Sequence, residues 1–247
     1  MGVLDRMRRG RAGPETNPAT SPGPERDPAS GPQVEGSPDA AAEAALWQIL
    51  REDPNDVAAF HRLADVVRRH AADRHVDSPG VDRQRAMDDA VWSLAEELAH
   101  SGKAWYPLVE LARLSLHDDR DAAMRRLGTA AERDPVGLGL ATSLQMLREA
   151  GLPGVALNLG MGHWRPREHT LEVGRHMVES AIESARLSEA RRHLEALGAH
   201  PETGPAQQLH DELLLLIEAA QAAPPPPTPG GGLPLIDLRE LRAARES

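Results

Sequence analysis

Apolar residues recur at helical spacing through most of the central chain. Ala42, Leu46, Ile49 and Leu50 form the first stripe, and Val57, Phe60, Leu63, Ala64 and Val67 the second. Beyond a polar insertion from His70 to about Arg83, Met87, Val91, Leu94 and Leu98 continue the pattern. Further stripes are Leu108, Leu111 and Leu114 or Ser115, then Ala123, Leu127 and Ala130, then Leu140, Leu144 and Leu147. Val173, Met177 and Ala181, then Leu194 and Leu197, then Leu209, Leu213 and Leu216 complete the set. Such spacing places apolar groups on one face of a helix. No segment sustains the two-residue alternation of a strand, so the pattern predicts an all-α fold of about nine short helices.

Local signals divide the chain. Ser37-Pro38 reads as an N-cap followed by proline at the first helical position, and Asp56 as the N-cap of the next helix. Outside residues 41–222 the periodicity stops. Thirteen of the 21 prolines lie in residues 1–40 and 223–247. Such tails bury too little apolar surface to offset chain entropy. The expected organisation is a disordered tail at 1–40, a helical domain at 41–222, a Pro/Gly linker at 223–232 and a short apolar peptide at 233–247.

Three prolines end helices in similar contexts. Leu46 to Leu50 precedes Asp53-Pro54, Leu127 to Ala130 precedes Asp134-Pro135, and Leu194 to Leu197 precedes His200-Pro201. Pro135 and Pro201 are 66 apart, twice 33; Pro54 and Pro135 are 81 apart, two 34-residue units plus roughly the polar insertion. In Ala42/Leu46/Ile49/Pro54, Ala123/Leu127/Ala130/Pro135 and Ala190/Leu194/Leu197/Pro201 the chain resembles the second helix of a tetratricopeptide repeat. Phe60/Leu63/Ala64/Val67 resembles its first helix. The usual Trp-Leu-Gly-Tyr set of the first helix is mostly absent, and Gly151-Leu152-Pro153-Gly154 interrupts the fourth unit. The resemblance implies an α-solenoid whose stacked helix pairs form a groove for a partner's peptide or helix. The first helices would then line the concave face through Arg62, Asp65, Arg68, Glu110 and Arg113.

Composition narrows the function classes. There is no cysteine, which excludes disulfides, thiolate metal sites and a cysteine nucleophile. Lys103 is the sole lysine among 28 basic residues, in a composition that resembles proteins of high-GC genomes and implies nothing about function. The net charge is -10, nearly all of it in the helical region, which argues against nucleic-acid binding. No run approaches the roughly 18 apolar residues of a membrane span. The start, MGVLDRMRRGR, lacks the apolar stretch of a signal peptide. A cytoplasmic protein is the expectation.

Candidate chemistry is sparse. None of the 11 histidines falls in a His-Glu-x-x-His arrangement, so solvated or capping histidines are expected, with no metal and no cofactor. No phosphate loop and no Gly-x-Ser-x-Gly are present. The segment Asn158–His169 holds two glycines, then His163, Trp164 and Arg165 in an expected loop. That loop either presents an aromatic ring and a guanidinium to an acidic or phosphorylated ligand, or connects helices with Trp164 plugging the core. The pairs Asp88-Asp89, Glu96-Glu97 and Asp118-Asp119 read as solvated charge.

Both ends add docking chemistry. Val3, Leu4 and Met7 among Arg6, Arg8, Arg9 and Arg11 make residues 1–11 a basic amphipathic segment for weak contact with an anionic membrane or an acidic partner. Leu235, Ile236, Leu238 and Leu241 follow the linker as a tethered apolar motif for a partner or for the chain's own groove. The expected function is a non-enzymatic protein–protein adaptor; the alternative is a peripheral membrane scaffold using the arginine-rich N-terminus.

Overall fold

A computed structural model describes residues 38–222 of the 247-residue chain. Ten α-helices occupy them: α1 (Pro38–Glu52), α2 (Val57–Arg74), α3 (Gly80–Ala99), α4 (Tyr106–Ser115), α5 (Arg120–Arg133), α6 (Leu138–Glu149), α7 (Pro153–His163), α8 (Leu171–Glu183), α9 (Leu187–Leu197) and α10 (Thr203–Ala222). Among the described residues there is no strand. Residues 1–37 of the expected tail, the linker and the terminal peptide lie outside the described residues, as do Leu235, Ile236, Leu238 and Leu241, whereas residues 38–40 of that tail already belong to α1. No described helix is long and apolar enough to cross a membrane.

Most of the predicted stripes are buried faces, but on α1 Ala42 and Ile49 are exposed, as is Val57 at the start of α2. Phe60 and Leu63 of α2, Leu127 of α5, Leu140, Leu144 and Leu147 of α6, Met177 and Ile182 of α8 and Leu213 of α10 are all almost fully buried. Each such side chain stabilises the fold by about 1.5–3 kcal/mol through removal from water. The polar insertion is much shorter than expected. Helix α2 continues to Arg74 and α3 begins at Gly80, leaving only residues 75–79 between them. Ala71 is buried in the extended end of α2, and Arg74 Nε donates to the His70 carbonyl. The first turns of α3 are helical yet largely exposed, so they carry no apolar stripe.

Every helix packs on the next, giving a chain of neighbours. The further substantial contacts join α4 to α6, α6 to α8, α8 to α10, and α5 to α7. Two kinds of turn recur along this chain. At the three proline sites, the side chain before proline accepts the backbone N–H two residues on. Asp53 Oδ1 accepts from Asn55 at 2.9 Å, Asp134 Oδ1 from Val136 at 3.2 Å, and His200 Nδ1 from Glu202 at 3.1 Å. Proline removes a donor, and this acceptor ties down the next one.

The second turn is a Schellman cap. After α6 the Leu152 N–H donates to the Leu147 carbonyl at 2.9 Å, around Gly151 at φ 73°. After α8 the Arg186 N–H donates to the Ala181 carbonyl at 2.8 Å, around Ala185 at φ 57°. Each donor, acceptor and left-handed residue lies 34 positions after its counterpart, the period of the repeat class. Gly151 to Gly154 is therefore the turn between α6 and α7, with Pro153 in the first turn of α7.

Candidate interaction face

Helices α2, α4, α6, α8 and α10 carry most of the long-range polar contacts between helices. On α2 and α4, His61 Nε2 lies 2.6 Å from the Tyr106 hydroxyl. Tyr106 is buried, with its ring edge-on to Phe60 at 5.2 Å. Burial, then the charge of Glu110 one turn on, raises the phenol pKa well above its ordinary value, so the hydroxyl stays protonated. Glu110 is paired with Arg113 at 3.5 Å.

A denser network joins α6, α8 and α10. Arg148 of α6 grips Glu183 of α8 with two donors, Nε at 2.9 Å and Nη2 at 2.6 Å. Its Nη1 reaches Glu179 at 2.5 Å and His176 Nδ1 at 2.8 Å. A guanidinium only donates, so His176 Nδ1 is the acceptor in this contact. Burial works against the Arg148 charge, but the hydrogen bonds and charges of Glu183 and Glu179 outweigh it and raise its pKa. Arg175, one turn before Glu179, makes a bidentate pair with Glu212 of α10 at 2.7 and 3.0 Å. The planar fork of arginine matches both carboxylates.

The expected site residues are placed as follows. Arg62 is exposed on α2, and Asp65 and Arg68 pair at 3.3 Å on the same helix. Arg113 is exposed, but Glu110 is buried rather than presented, because it lies on the face of α4 that holds Tyr106. His163 ends α7, which continues through Gly160 and Gly162, so the expected loop starts only at Trp164. The Trp164 ring packs inward, edge-on to His193 at 5.7 Å and against Gly174. A Cβ on Gly174 would lie 3.2 Å from that ring and 2.2 Å from Leu197 Cδ2, so any larger residue would displace Leu197. Arg165 is exposed and pairs with Glu168 at 3.2 Å. These three residues are not brought to the α2–α4 positions by any contact described.

The remaining sequence expectation for the histidines holds in part. His75 and His100 end α2 and α3, as capping residues do. His169 departs from the expectation of solvated histidine: it is buried, and burial followed by the Arg165 charge lowers its pKa. It packs on Gly137, whose φ of 90° and 2.7 Å distance from a would-be Cβ to the imidazole admit no side chain. Among the described residues no group of three or more His, Asp or Glu is arranged to hold a metal ion.

The Arg148 and Arg175 networks were not foreseen from sequence. Glu179 and Glu183 stand one turn apart on α8, a spacing that puts both on one face. Their arginine partner comes from another helix 31 positions earlier, and nothing local marks it. Comparison of the chain with family models, with curated proteins and with solved structures finds no match.

Proposed function

We propose that this chain is a non-enzymatic adaptor built as a tetratricopeptide-like array, with α2, α4, α6, α8 and α10 as the first helices of successive pairs. The observation that carries this reading is the packing of alternate helices, α4 on α6, α6 on α8 and α8 on α10, superimposed on packing of each helix with the next. In a stack of helix pairs, each first helix meets its own partner and the first helix of the following pair. The matching caps 34 residues apart at the ends of α6 and α8 support the same reading.

On this reading the first helices offer a face to an extended or helical segment of a partner protein. Arg62, Arg68 and Arg113 supply charge there, and the tight Arg148–Glu183 and Arg175–Glu212 pairs brace neighbouring pairs instead of recruiting ligand. Site-specific photocrosslinking tests the proposal. A photoreactive residue replaces Arg62 or Arg113 on the proposed face, or Glu97 on α3, in the full chain inside native cells. The expected result is one protein adduct shared by the Arg62 and Arg113 positions and lacking at Glu97. Equal adducts at all three positions, or none at Arg62 and Arg113, would overturn it.

A further inference from the structure

An open groove of about 750 Å³ lies between the N-terminal half of α3 and the junction of α4 with α5. Its lining includes the apolar side chains of Val81, Trp92 and Leu114 and one cation, Arg85. Val81 is 79% exposed. Two aspartate pairs distant in sequence, Asp88-Asp89 and Asp118-Asp119, line the same groove. Asp88 accepts from Gln84 at 3.0 Å, and Asp119 caps α5 through Ala122 N–H at 2.9 Å. Asp89 and Asp118 are exposed.

The chain itself shows what this lining accepts. The Arg126 guanidinium sits 4.9 Å from the Trp92 ring centroid and is held by a 2.9 Å hydrogen bond to Ser115 Oγ at the groove edge. An aromatic face beside carboxylates attracts cations, and arginine stacks best of all.

We propose that this groove docks a basic peptide segment of a partner protein, one that sets an arginine or lysine between the aspartate pairs, which outnumber the lining's one cation, and an apolar side chain on Val81. Charge complementarity selects the occupant. The carboxylates repel nucleic acid and anionic lipid alike. A bare polycation would use the aspartates and leave the exposed valine without a role, whereas a peptide with basic and apolar side chains uses both. Partial enclosure strengthens the ion pairs relative to open water. The site lies on α3 and the α4–α5 junction, so it stands or falls separately from the face proposed above.

The probe is a fluorescein-labelled hexapeptide of arginine with two leucines, titrated onto the full-length chain at low and physiological salt by anisotropy. Saturable binding is expected, weakened about tenfold by Asp89→Asn with Asp118→Asn and at least about threefold by Val81→Ser. Replacing the two leucines of the peptide by serine should weaken it similarly. Glu96→Gln with Glu97→Gln removes the same charge from elsewhere on α3, and binding should stay within about twofold of wild type. All four substituted carboxylates and Val81 are exposed, so these variants keep the fold. Equal weakening by the two charge variants would mean diffuse attraction to an acidic surface and would overturn the proposal. So would undiminished binding of the serine peptide, or no saturable binding at all.

Discussion

Ala185 is the one described non-glycine residue with a positive φ, 57°, and it sits where glycine sits after α6. Its methyl group is exposed and buries nothing. A Cβ in the left-handed region costs about 1–2 kcal/mol against the following carbonyl. Glycine escapes that cost but loses more chain entropy on folding, by roughly 0.5–1 kcal/mol. The balance favours glycine at this C′ position. Ala185→Gly is therefore expected to raise stability by roughly 0.5–1 kcal/mol in urea denaturation, since the steric relief exceeds the entropy difference. A drop in the unfolding midpoint would show that the turn after α8 is held by something other than its cap.

Between elements, the α6–α8 junction adds a buried charge network to its apolar contact. Glu179 is 2% exposed, and Arg148 reaches it and Glu183 at once. Replacing Arg148 by methionine keeps much of the apolar stem and removes the fork. Glu183 then loses both of its donors and Glu179 its shortest one, with Arg175 still 4.0 Å from Glu179, at a cost of about 3 kcal/mol. Adding Glu179→Met should recover part of the loss; purely additive losses in thermal unfolding would contradict a coupled pair. This junction also shows what the sequence could and could not display. The stripes on α2, α6, α8 and α10 were legible because one face of each helix is buried, and that writes a period into the chain. The proline turns were legible because proline and its capping neighbour are adjacent. The Arg148 network joins α6 to α8 across a whole intervening helix, and the aspartate groove joins α3 to the start of α5. Such pairings depend on how helices stack, which local spacing does not encode. The first turns of α3 were read as an insertion because solvent surrounds them, so they have no apolar face to betray them.

At the scale of the whole helical region, every substantial contact joins helices one or two places apart in order. Stability in such a chain is approximately a sum of local terms and neighbour interfaces, so damage should stay near its origin. Ile182 in α8 is fully buried, and Ile182→Ala opens a cavity worth about 2–5 kcal/mol. In a single cooperative globule that loss would lower protection of every slowly exchanging amide alike. In an array it should fall on α8 and on α6, α7, α9 and α10, which touch it directly, weaken in α4 and α5, and fade before α2 and α3. Hydrogen exchange of wild type and Ile182→Ala, resolved helix by helix, distinguishes the two. Exchange in α6–α9 should rise by more than about tenfold while α2 and α3 change by less than about twofold. A uniform rise through all ten helices would mean that the region unfolds as one body, and the repeat reading, with the open face that depends on it, would lose its physical basis.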